Sequence, residues 1–271
     1  MQENTFTRFF AGIGGLFYTL KDETVSFIAF TGRVAYAVGD AFRNPGKIRK
    51  RETLYFMNLC GADGLPITAL ICFLTGVILG YQCAVQMQKY GADAFLAGLV
   101  GCAMVRELSP LMVSIIATGR TGSAFAAEIG SMKVAEEVDA LRTMGFMPER
   151  FLVIPKLFAM TLMMPLLAVI GNIAGIAGGA LIGMGVLNQP FQTYYAQTVS
   201  WVQPGYFFES IIKTAIFGII ITMVGCWRGF RTGSDALAVG RSTTSSVVLS
   251  ILFIIIADTI LAHFFNTIFF D

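Results

Sequence analysis

The feature that most constrains the fold of this chain is a set of five long apolar stretches. They are Leu65–Met87, Ala94–Ala117, Phe151–Val186, Phe207–Trp227 and Val247–Phe269. An α-helix needs about 20 apolar residues to cross the hydrocarbon core of a bilayer, and each stretch is long enough. The third, at about 36 residues, exceeds one straight crossing, so it must tilt, protrude from the membrane or break near its glycines.

The composition agrees with a membrane protein. The 271 residues are 55% hydrophobic and 13% charged, with a mean hydropathy of +0.70, whereas soluble domains carry about 25% charged residues. The net charge of +2 gives no reason to expect a nucleic-acid partner. Five cysteines show no metal-ligand spacing and are interpreted as small apolar residues inside the membrane. The chain is therefore predicted to be an all-α polytopic membrane protein.

Residues 1–63 differ from the rest because charges interrupt their apolar patches, and they end in the basic run Arg43–Arg51. They are predicted to form one or two interfacial helices and a cytoplasmic connector, ahead of a five-span domain at residues 64–271. Within them, Arg8–Glu23 is expected to lie on the membrane surface rather than act as a signal peptide, because its apolar run is short and a charged continuation follows it.

Lysine and arginine counts predict the orientation. Eight lie in the first 63 residues, five between spans two and three, and three between spans four and five, whereas Lys89 stands alone among the loops of the other face. Basic residues concentrate in cytoplasmic loops. We therefore expect a cytoplasmic N-terminus and a C-terminus on the outer face.

Two adjacent charges, Arg106 and Glu107, lie in the middle of the second span. Together they cost about 5–7 kcal/mol on insertion scales, which the apolar residues of the span only roughly offset. Neighbouring helical positions point about 100° apart, so each charge needs its own partner or a cavity. Asp258 is the predicted partner of Arg106, and Lys213 follows Glu209 by one turn. The set is either a structural ion-pair network or the polar wall of a substrate cavity.

Two further features of the first two spans concern the same region. Pro110 is predicted to kink the second span and turn the charge pair inward. Gln82, Gln86 and Tyr90 recur every four residues and form a polar stripe on the first span. The stripe either lines the cavity or lies at the outer membrane interface.

The cytoplasmic segment at about residues 133–145 is predicted to be a short amphipathic helix. Its apolar face contains Val138 and Leu141, and Gly145 can end it in the left-handed conformation. Its charged residues are Glu136, Glu137, Asp139 and Arg142. The helix either lies on lipid or docks on another protein, and its acidic face favours the protein because anionic headgroups repel carboxylates.

A stripe of small residues runs along the third span. It consists of Gly171, Gly175, Gly179 and Gly183. Glycines at this spacing let two helices approach closely, either between two copies of the chain or within one.

Motifs for catalysis or nucleotide binding are not found in the sequence. There is no GxxxxGK[ST] phosphate-binding loop, no HExxH and no GxSxG, and His263 is the one histidine. We therefore predict no catalytic residue, no metal site and no cofactor bound by this chain.

The order of these residues resembles the MlaE (YrbE) family of permeases. The resemblance covers about Leu65–Phe264, and its most specific parts are RELSP at Arg106–Pro110 and GRTGSAFAAEIG at Gly119–Gly130. Members of this family are membrane subunits of ABC transporters that work with MCE-domain proteins to move lipids. The resemblance implies an ABC-exporter-like permease fold with an N-terminal interfacial helix and five transmembrane helices.

The resemblance also implies function and partners. The chain would form a homodimer in the bacterial inner membrane, with its C-terminus periplasmic, and would move glycerophospholipids between that membrane and a periplasmic MCE hexamer for outer-membrane lipid asymmetry. A cytoplasmic ATPase using ATP and Mg would bind the coupling helix at Ala135–Gly145, with a STAS-type accessory subunit beside it. Arg106, Glu107, Lys213 and Asp258 would lie near the lipid cavity between the protomers.

Two other functions remain open from the residues themselves. A stand-alone secondary transporter or channel would be expected to show inverted repeats, which the five-span layout does not suggest. A structural membrane anchor would tolerate apolar replacements of the buried charges.

Overall fold

The computed structural model describes the backbone of residues 5–43 and 49–270, and the side chains of residues 21–41, 43 and 49–268. All regular structure within these ranges is helical, and no strand occurs in them. Five helical segments there are long and apolar enough to cross a membrane. They are Lys50–Tyr90, Asp93–Val134, Glu149–Gly185, Pro204–Phe230 and Ala236–Ile268. The prediction of an all-α polytopic membrane protein with five crossings is confirmed.

Helix α1, Thr5–Arg43, precedes the spans and packs against one end of the bundle. Apolar residues at helical spacing, among them Phe30, Val34 and Ala37, bury one face of it. The side chains of residues 5–20, which include most of the predicted surface segment, and residues 44–48 of the predicted basic connector lie outside the described residues.

The first span begins earlier than its apolar stretch. Helix α2, Lys50–Cys60, leads through a 3-10 turn at Ala62–Gly64 into helix α3, Leu65–Tyr90. The predicted domain boundary at residues 63–64 falls at this turn. Gly91 then ends α3 with φ 64°, a left-handed conformation that glycine adopts without a steric penalty.

The second span alternates between two helical geometries. Its parts are α4 (Leu96–Ala103), a π turn (Met104–Leu108), α5 (Ser109–Ala117), a second π turn (Thr118–Gly122) and α6 (Ser123–Val134). A π turn closes its hydrogen bonds one residue later than an α-helix, so it shifts the side chains that follow to another face. The first π turn contains the charge pair and ends just before the proline that was expected to kink the span.

The predicted cytoplasmic helix is shorter than expected. Helix α7 covers only Glu137–Thr143, because α6 runs on to Val134 and Glu136 takes a left-handed φ of 60° between the two helices. Val138 is fully buried and anchors the helix to the bundle. Gly145, two residues after the helix, has φ 79°, the left-handed conformation predicted for it.

The third span consists of a π turn at Glu149–Val153 and helix α8, Ile154–Gly185. Helix α8 is continuous through its glycines, so the break considered for this long stretch does not occur there.

The glycine stripe of α8 makes contacts within one subunit. A Cβ added at Gly76 of α3 would lie 2.0 Å from the carbonyl oxygen of Gly175, and one added at Gly80 would lie 3.2 Å from Cα of Gly179. Gly171 meets Ser109 and Cys72 of the neighbouring helices, and Gly183 meets Tyr194. Of the two alternatives left open by the sequence, the structure therefore shows the intrasubunit one for all four glycines.

Three helices complete the chain. They are α9 (Phe191–Trp201), α10 (Pro204–Phe230) and α11 (Ala236–Phe270). The short α9 was not predicted, and its Trp201 ring occupies the space that a side chain at Gly98 would need. Helix α10 is the most buried of the five spans and α11 is among the least buried. The centre of the bundle is therefore α10, packed against α5, α6, α8 and α11.

Candidate functional site

The candidate site is built around a lysine on the central helix. Helix α10 places Glu209 and Lys213 one turn apart on its buried side, and both side chains are fully buried. Lys213 Nζ lies 3.1 Å from Glu209 Oε1. A buried ammonium requires such pairing because removing it from water without partners costs several kcal/mol.

The first π turn presents a second carboxylate and a carbonyl to the same ammonium. Lys213 Nζ donates to Glu107 Oε2 at 2.9 Å and to the main-chain carbonyl oxygen of Arg106 at 3.1 Å. In an α-helix that carbonyl would accept from the N–H of residue 110, and Pro110 has none. The Arg106 carbonyl oxygen therefore lacks its usual helical donor, and the Lys213 ammonium supplies one instead.

Arg106 binds a different carboxylate oxygen. Its Nε lies 3.1 Å from Glu209 Oε2, and its Nη2 donates to Asn266 Oδ1 of α11 at 2.5 Å. Its guanidinium carbon also lies 5.0 Å from the centroid of the Tyr206 ring. The prediction that adjacent charges on one helix need separate partners is confirmed, since Arg106 pairs with Glu209 and Glu107 pairs with Lys213.

Asp258 of α11 completes the set, with Oδ1 at 3.3 Å from Lys213 Nζ. The predicted pairing of Asp258 with Arg106 is therefore wrong, because Glu209, which the sequence assigned only to Lys213, binds both cations and Asp258 turns to the lysine. We call this set the charge cluster. It consists of Arg106, Glu107, Glu209, Lys213 and Asp258.

The charge cluster has a closed side and an open side. The side chains of Glu209 and Lys213 are 0% exposed, whereas those of Arg106 and Glu107 are 17% and 37% exposed. A guanidinium on the open side can donate to a phosphate oxygen, and the carboxylate beside it can accept from a donor. The Lys213 ammonium contacts four protein oxygens and has no exposed surface, so it is not placed to bind a ligand on the open side directly.

Gln82 and Tyr90 lie apart from the charge cluster. Both are exposed on α3, Tyr90 with 82% of its surface, and no hydrogen bond joins either one to the charge cluster within the described part of the chain. Their assignment to the cavity wall stays a prediction.

The segment predicted to be cytoplasmic combines a packed core with an exposed charged face. Glu136, Glu137 and Arg142 are exposed, and the apolar Met144 and Phe146 beside them are 62% and 53% exposed. The Asp139 carboxylate accepts from Lys133 Nζ at 2.9 Å and from Arg142 Nη1 at 3.0 Å. The hydrogen bond from Lys133, followed by the two nearby positive charges, lowers the pKa of Asp139 below its ordinary value.

Sequence reasoning missed parts of this arrangement. Asn266 and Tyr206 touch Arg106 across long sequence separations, and no local signal marks them. Glu209 could be found, since its spacing of four residues before Lys213 predicts an ion pair, but its bond to Arg106 could not. Among the described residues, no group of three or more His, Cys, Asp or Glu side chains could hold a metal ion.

Comparison with known proteins places these residues in a family. The profile of the family described as Permease MlaE matches residues 53–264. A probable ABC transporter permease protein of Rickettsia bellii is 34% identical over 221 residues, which are 79% of this chain and 85% of the relative. The intermembrane phospholipid transport system permease protein MlaE of Haemophilus influenzae is 30% identical over 247 residues, covering 89% of this chain and 94% of the relative.

A plant protein is also similar. The chloroplastic protein TRIGALACTOSYLDIACYLGLYCEROL 1 of Arabidopsis thaliana is 35% identical over 220 residues, covering 81% of this chain and 63% of the relative. The family profile spans the charge cluster, helix α7 and all but the end of the last span. This chain is a multi-pass membrane protein that belongs to the MlaE permease family.

Proposed function

We propose that this chain is the permease subunit of an ABC transporter that moves glycerophospholipids between the bacterial inner membrane and a periplasmic MCE protein, and so contributes to outer-membrane lipid asymmetry. The observation that carries the proposal is the charge cluster, since intramembrane ionisable residues mark substrate pathways. Its open side pairs a guanidinium with a carboxylate at the surface of an apolar bundle, which suits a phospholipid headgroup. The relative from Haemophilus influenzae, named for intermembrane phospholipid transport, supports the substrate class.

The proposed assembly is a homodimer with the lipid cavity between the protomers. Helix α11 contributes Asp258 and Asn266 to the site and exposes an apolar face that includes Ile256, Ile260 and Phe264. A large exposed apolar face of this kind contacts either lipid or a second subunit. A second copy against α11 would enclose the open side of the charge cluster.

The proposed energy source is a separate cytoplasmic ATPase. The chain has no phosphate-binding loop of its own, so ATP and Mg would be bound by the partner. The exposed charges of α7 and the apolar residues after it form a mixed surface suited to a protein partner. Orientation by the basic residues would place this surface in the cytoplasm, where a STAS-type accessory subunit would also bind, and the MCE hexamer would lie on the periplasmic face.

In the proposed mechanism, Arg106 donates hydrogen bonds to the lipid phosphate and the apolar walls hold the acyl chains. Glu107, on the open side, orients the headgroup from the next position of the π turn. Lys213 acts as a positioning residue, because it holds Glu107, Glu209 and Asp258 in place without reaching the lipid. Closure of the ATPase dimer would move α7 and, through α6, the charged π turn.

The test is cross-linking of a photoreactive phospholipid to the purified complex, together with lipid-stimulated ATPase activity. Arg106→Ala should reduce both several-fold, since the phosphate loses its charged donor. Lys156→Met, a change at a buried lysine outside the charge cluster, is the matched control and should leave both near wild type. Unchanged cross-linking and ATPase activity in Arg106→Ala and Glu107→Ala would contradict the role of the open side. Co-purification of an ATPase and an MCE protein with this chain tests the assembly.

A further inference from the structure

A second polar site lies at the end of the bundle that the basic residues mark as cytoplasmic, away from the charge cluster. It is a pocket of about 280 Å³ between α1, α10 and α11. It is lined by Glu23, Arg228, Arg231, Arg241, Ser242 and Ser245. Three guanidinium groups face one carboxylate, so the pocket is electropositive.

The arginines differ in how firmly they are held. Arg228 is bound to Glu23 at 3.0 Å, and Arg231 lies 3.6 Å from the same carboxylate. Arg241 is 79% exposed and lies 3.8 Å from Asp235, which is itself largely exposed. Two arginines are therefore fixed by one shared carboxylate, while the third makes one long ion pair at the exposed surface and can turn toward an anion.

The pocket also contains unused hydrogen-bonding capacity. The Nε of Arg228 is buried and has no hydrogen-bond partner, although burial without a partner is costly for a donor. Ser242 and Ser245 line the pocket from the second and third turns of α11, and their hydroxyls make no side-chain hydrogen bond with any residue that the structure describes. Guanidinium and hydroxyl donors at such spacing suit the oxygens of a phosphate group.

An apolar groove continues the pocket along the same three helices. It has a volume of about 320 Å³ and, apart from Thr31, only apolar residues line it. Phe27 joins the two, since it lies one turn after Glu23, meets the Trp227 ring edge-on at 5.1 Å and stacks on Phe253 at 5.7 Å. One turn of helix is about 5.4 Å long. This spacing is short enough for one phospholipid to place its phosphate in the pocket and the start of an acyl chain in the groove.

We propose that this crevice binds an anionic phospholipid of the cytoplasmic leaflet, with its phosphate on the arginines and an acyl chain in the groove. The groove opens to the outside of the span bundle, since Ile219 and Ile260 are 40% and 64% exposed, so its occupant is reached from the membrane. Basic pockets at the cytoplasmic ends of transmembrane helices recognise anionic headgroups. Such a lipid would bind α1 to α10 and α11. The assignment to the cytoplasmic leaflet rests on the orientation proposed above.

The two tryptophans of the chain provide a direct assay. In a Trp201→Phe background, fluorescence reports Trp227, which lies between the pocket and the groove. The protein is reconstituted in phosphatidylcholine vesicles that contain a minor fraction of phospholipid with brominated acyl chains, either phosphatidylglycerol or phosphatidylcholine. Brominated phosphatidylglycerol should quench Trp227 more strongly, and inorganic phosphate in solution should not relieve the quenching.

Arginine variants then locate the headgroup. Arg241→Gln should weaken the preference for phosphatidylglycerol about fivefold, and addition of Arg228→Gln should weaken it more than tenfold. Arg51→Gln, at an exposed arginine of α2, is the matched control and should change nothing. Because Arg241 is so exposed, its substitution will not disturb folding, so the single variant decides the question if the double variant fails to fold.

Three results would overturn the proposal. Equal quenching by the two brominated lipids would show a groove without headgroup selection. Relief by inorganic phosphate would show a site for a soluble anion. An Arg241→Gln variant that behaves like Arg51→Gln would exclude the pocket. The readout needs neither nucleotide nor transport, so its failure and the failure of the proposed transport function are distinguishable.

Discussion

Among the residues that the structure describes, Lys156 and Lys213 are the fully buried lysines, and they are buried in different ways. Lys213 has three carboxylates within 3.3 Å and shares one of them with Arg106. Lys156 has one carboxylate, that of Glu128 at 2.9 Å, and two aromatic rings with centroids 4.9 and 5.4 Å away. Lys213 belongs to a network with three carboxylates and two cations, whereas Lys156 belongs to a single ion pair.

The difference shows that burial of a charge does not by itself mark a site. Lys156 extends to an exposed carboxylate at the edge of the bundle, and the faces of Phe56 and Phe125 replace the lost water. The network around Lys213 contains two side chains that reach an open surface, Arg106 and Glu107. We therefore expect variants at Lys213 to affect stability and lipid handling together, and variants at Lys156 to affect stability alone.

The largest effect is expected for Lys213→Met. The change leaves three carboxylates without their shared cation, and loss of one partner from a buried ion pair costs about 3–5 kcal/mol. Thermal unfolding of the purified protein in detergent measures the loss, and Lys213→Arg is the control that retains the charge. A melting temperature equal to wild type would show that the carboxylates are stable without a cation.

Glu209→Gln is expected to cost somewhat less, about 1.5–3 kcal/mol, because hydrogen bonds to charged groups contribute that much and Glu209 makes them with both cations. Glu107→Gln is the comparison, since Glu107 is partly exposed and binds only Lys213. In the same thermal measurement, Glu107→Gln should reduce the stability by less than Glu209→Gln does. The reverse order would mean that the open side of the charge cluster, and not its closed side, holds the helices together.

Lys156→Met should cost about 1–2 kcal/mol. The change removes the cation–π interaction, which contributes about 0.5–2 kcal/mol, and an ion pair to an exposed carboxylate, which contributes about 0–1 kcal/mol. The methionine still packs on the rings. Glu128→Gln tests the ion pair separately. A loss as large as that of Lys213→Met would remove the distinction between the two buried lysines.

The smallest effect concerns a half-buried lysine, Lys133, and its partner Asp139. Because the pKa of Asp139 is lowered in the folded protein, its charged form stabilises the fold at pH values above 3.8, the ordinary pKa of this group. The contribution is lost as the pH falls through the lowered pKa of the folded state. Asp139→Asn should therefore slightly reduce stability at neutral pH and flatten its acid dependence. Thermal unfolding from neutral to acidic pH measures both, and identical pH profiles for the variant and wild type would contradict the assigned partner.

Much of the fold follows from residue pattern. Five spans, the short helix α7 and the left-handed glycine that follows it are encoded locally, by apolar run length and by one glycine conformation. Helix α9 escaped prediction because its 11 residues are too few for a span and mix Tyr, Gln and Thr with apolar residues. The π turns escaped because an extra residue per turn leaves no mark in a pattern with a period of 3.6.

The charged residues of the candidate site were predictable from the sequence, but their pairing and the neutral residues Asn266 and Tyr206 were not. Insertion cost identified Arg106 and Glu107 as residues that need partners, and their 100° separation showed that the partners must differ. Which carboxylate meets which cation depends on the rotation of α10 and α11 around their own axes. Asp258 was assigned to Arg106 by depth alone, and depth does not specify that rotation.

The backbone contact between α3 and α8 has a mechanical consequence. Where Gly76 meets the carbonyl oxygen of Gly175, no side chain separates the two helices, so neither can slide or roll without a collision of main-chain atoms. We therefore expect α3 and α8 to move together, and any relative displacement of helices to occur around α10 and α11. Spectroscopic labels on α3 and α8 should thus keep a constant separation, which makes them an internal ruler for motion elsewhere in the protein.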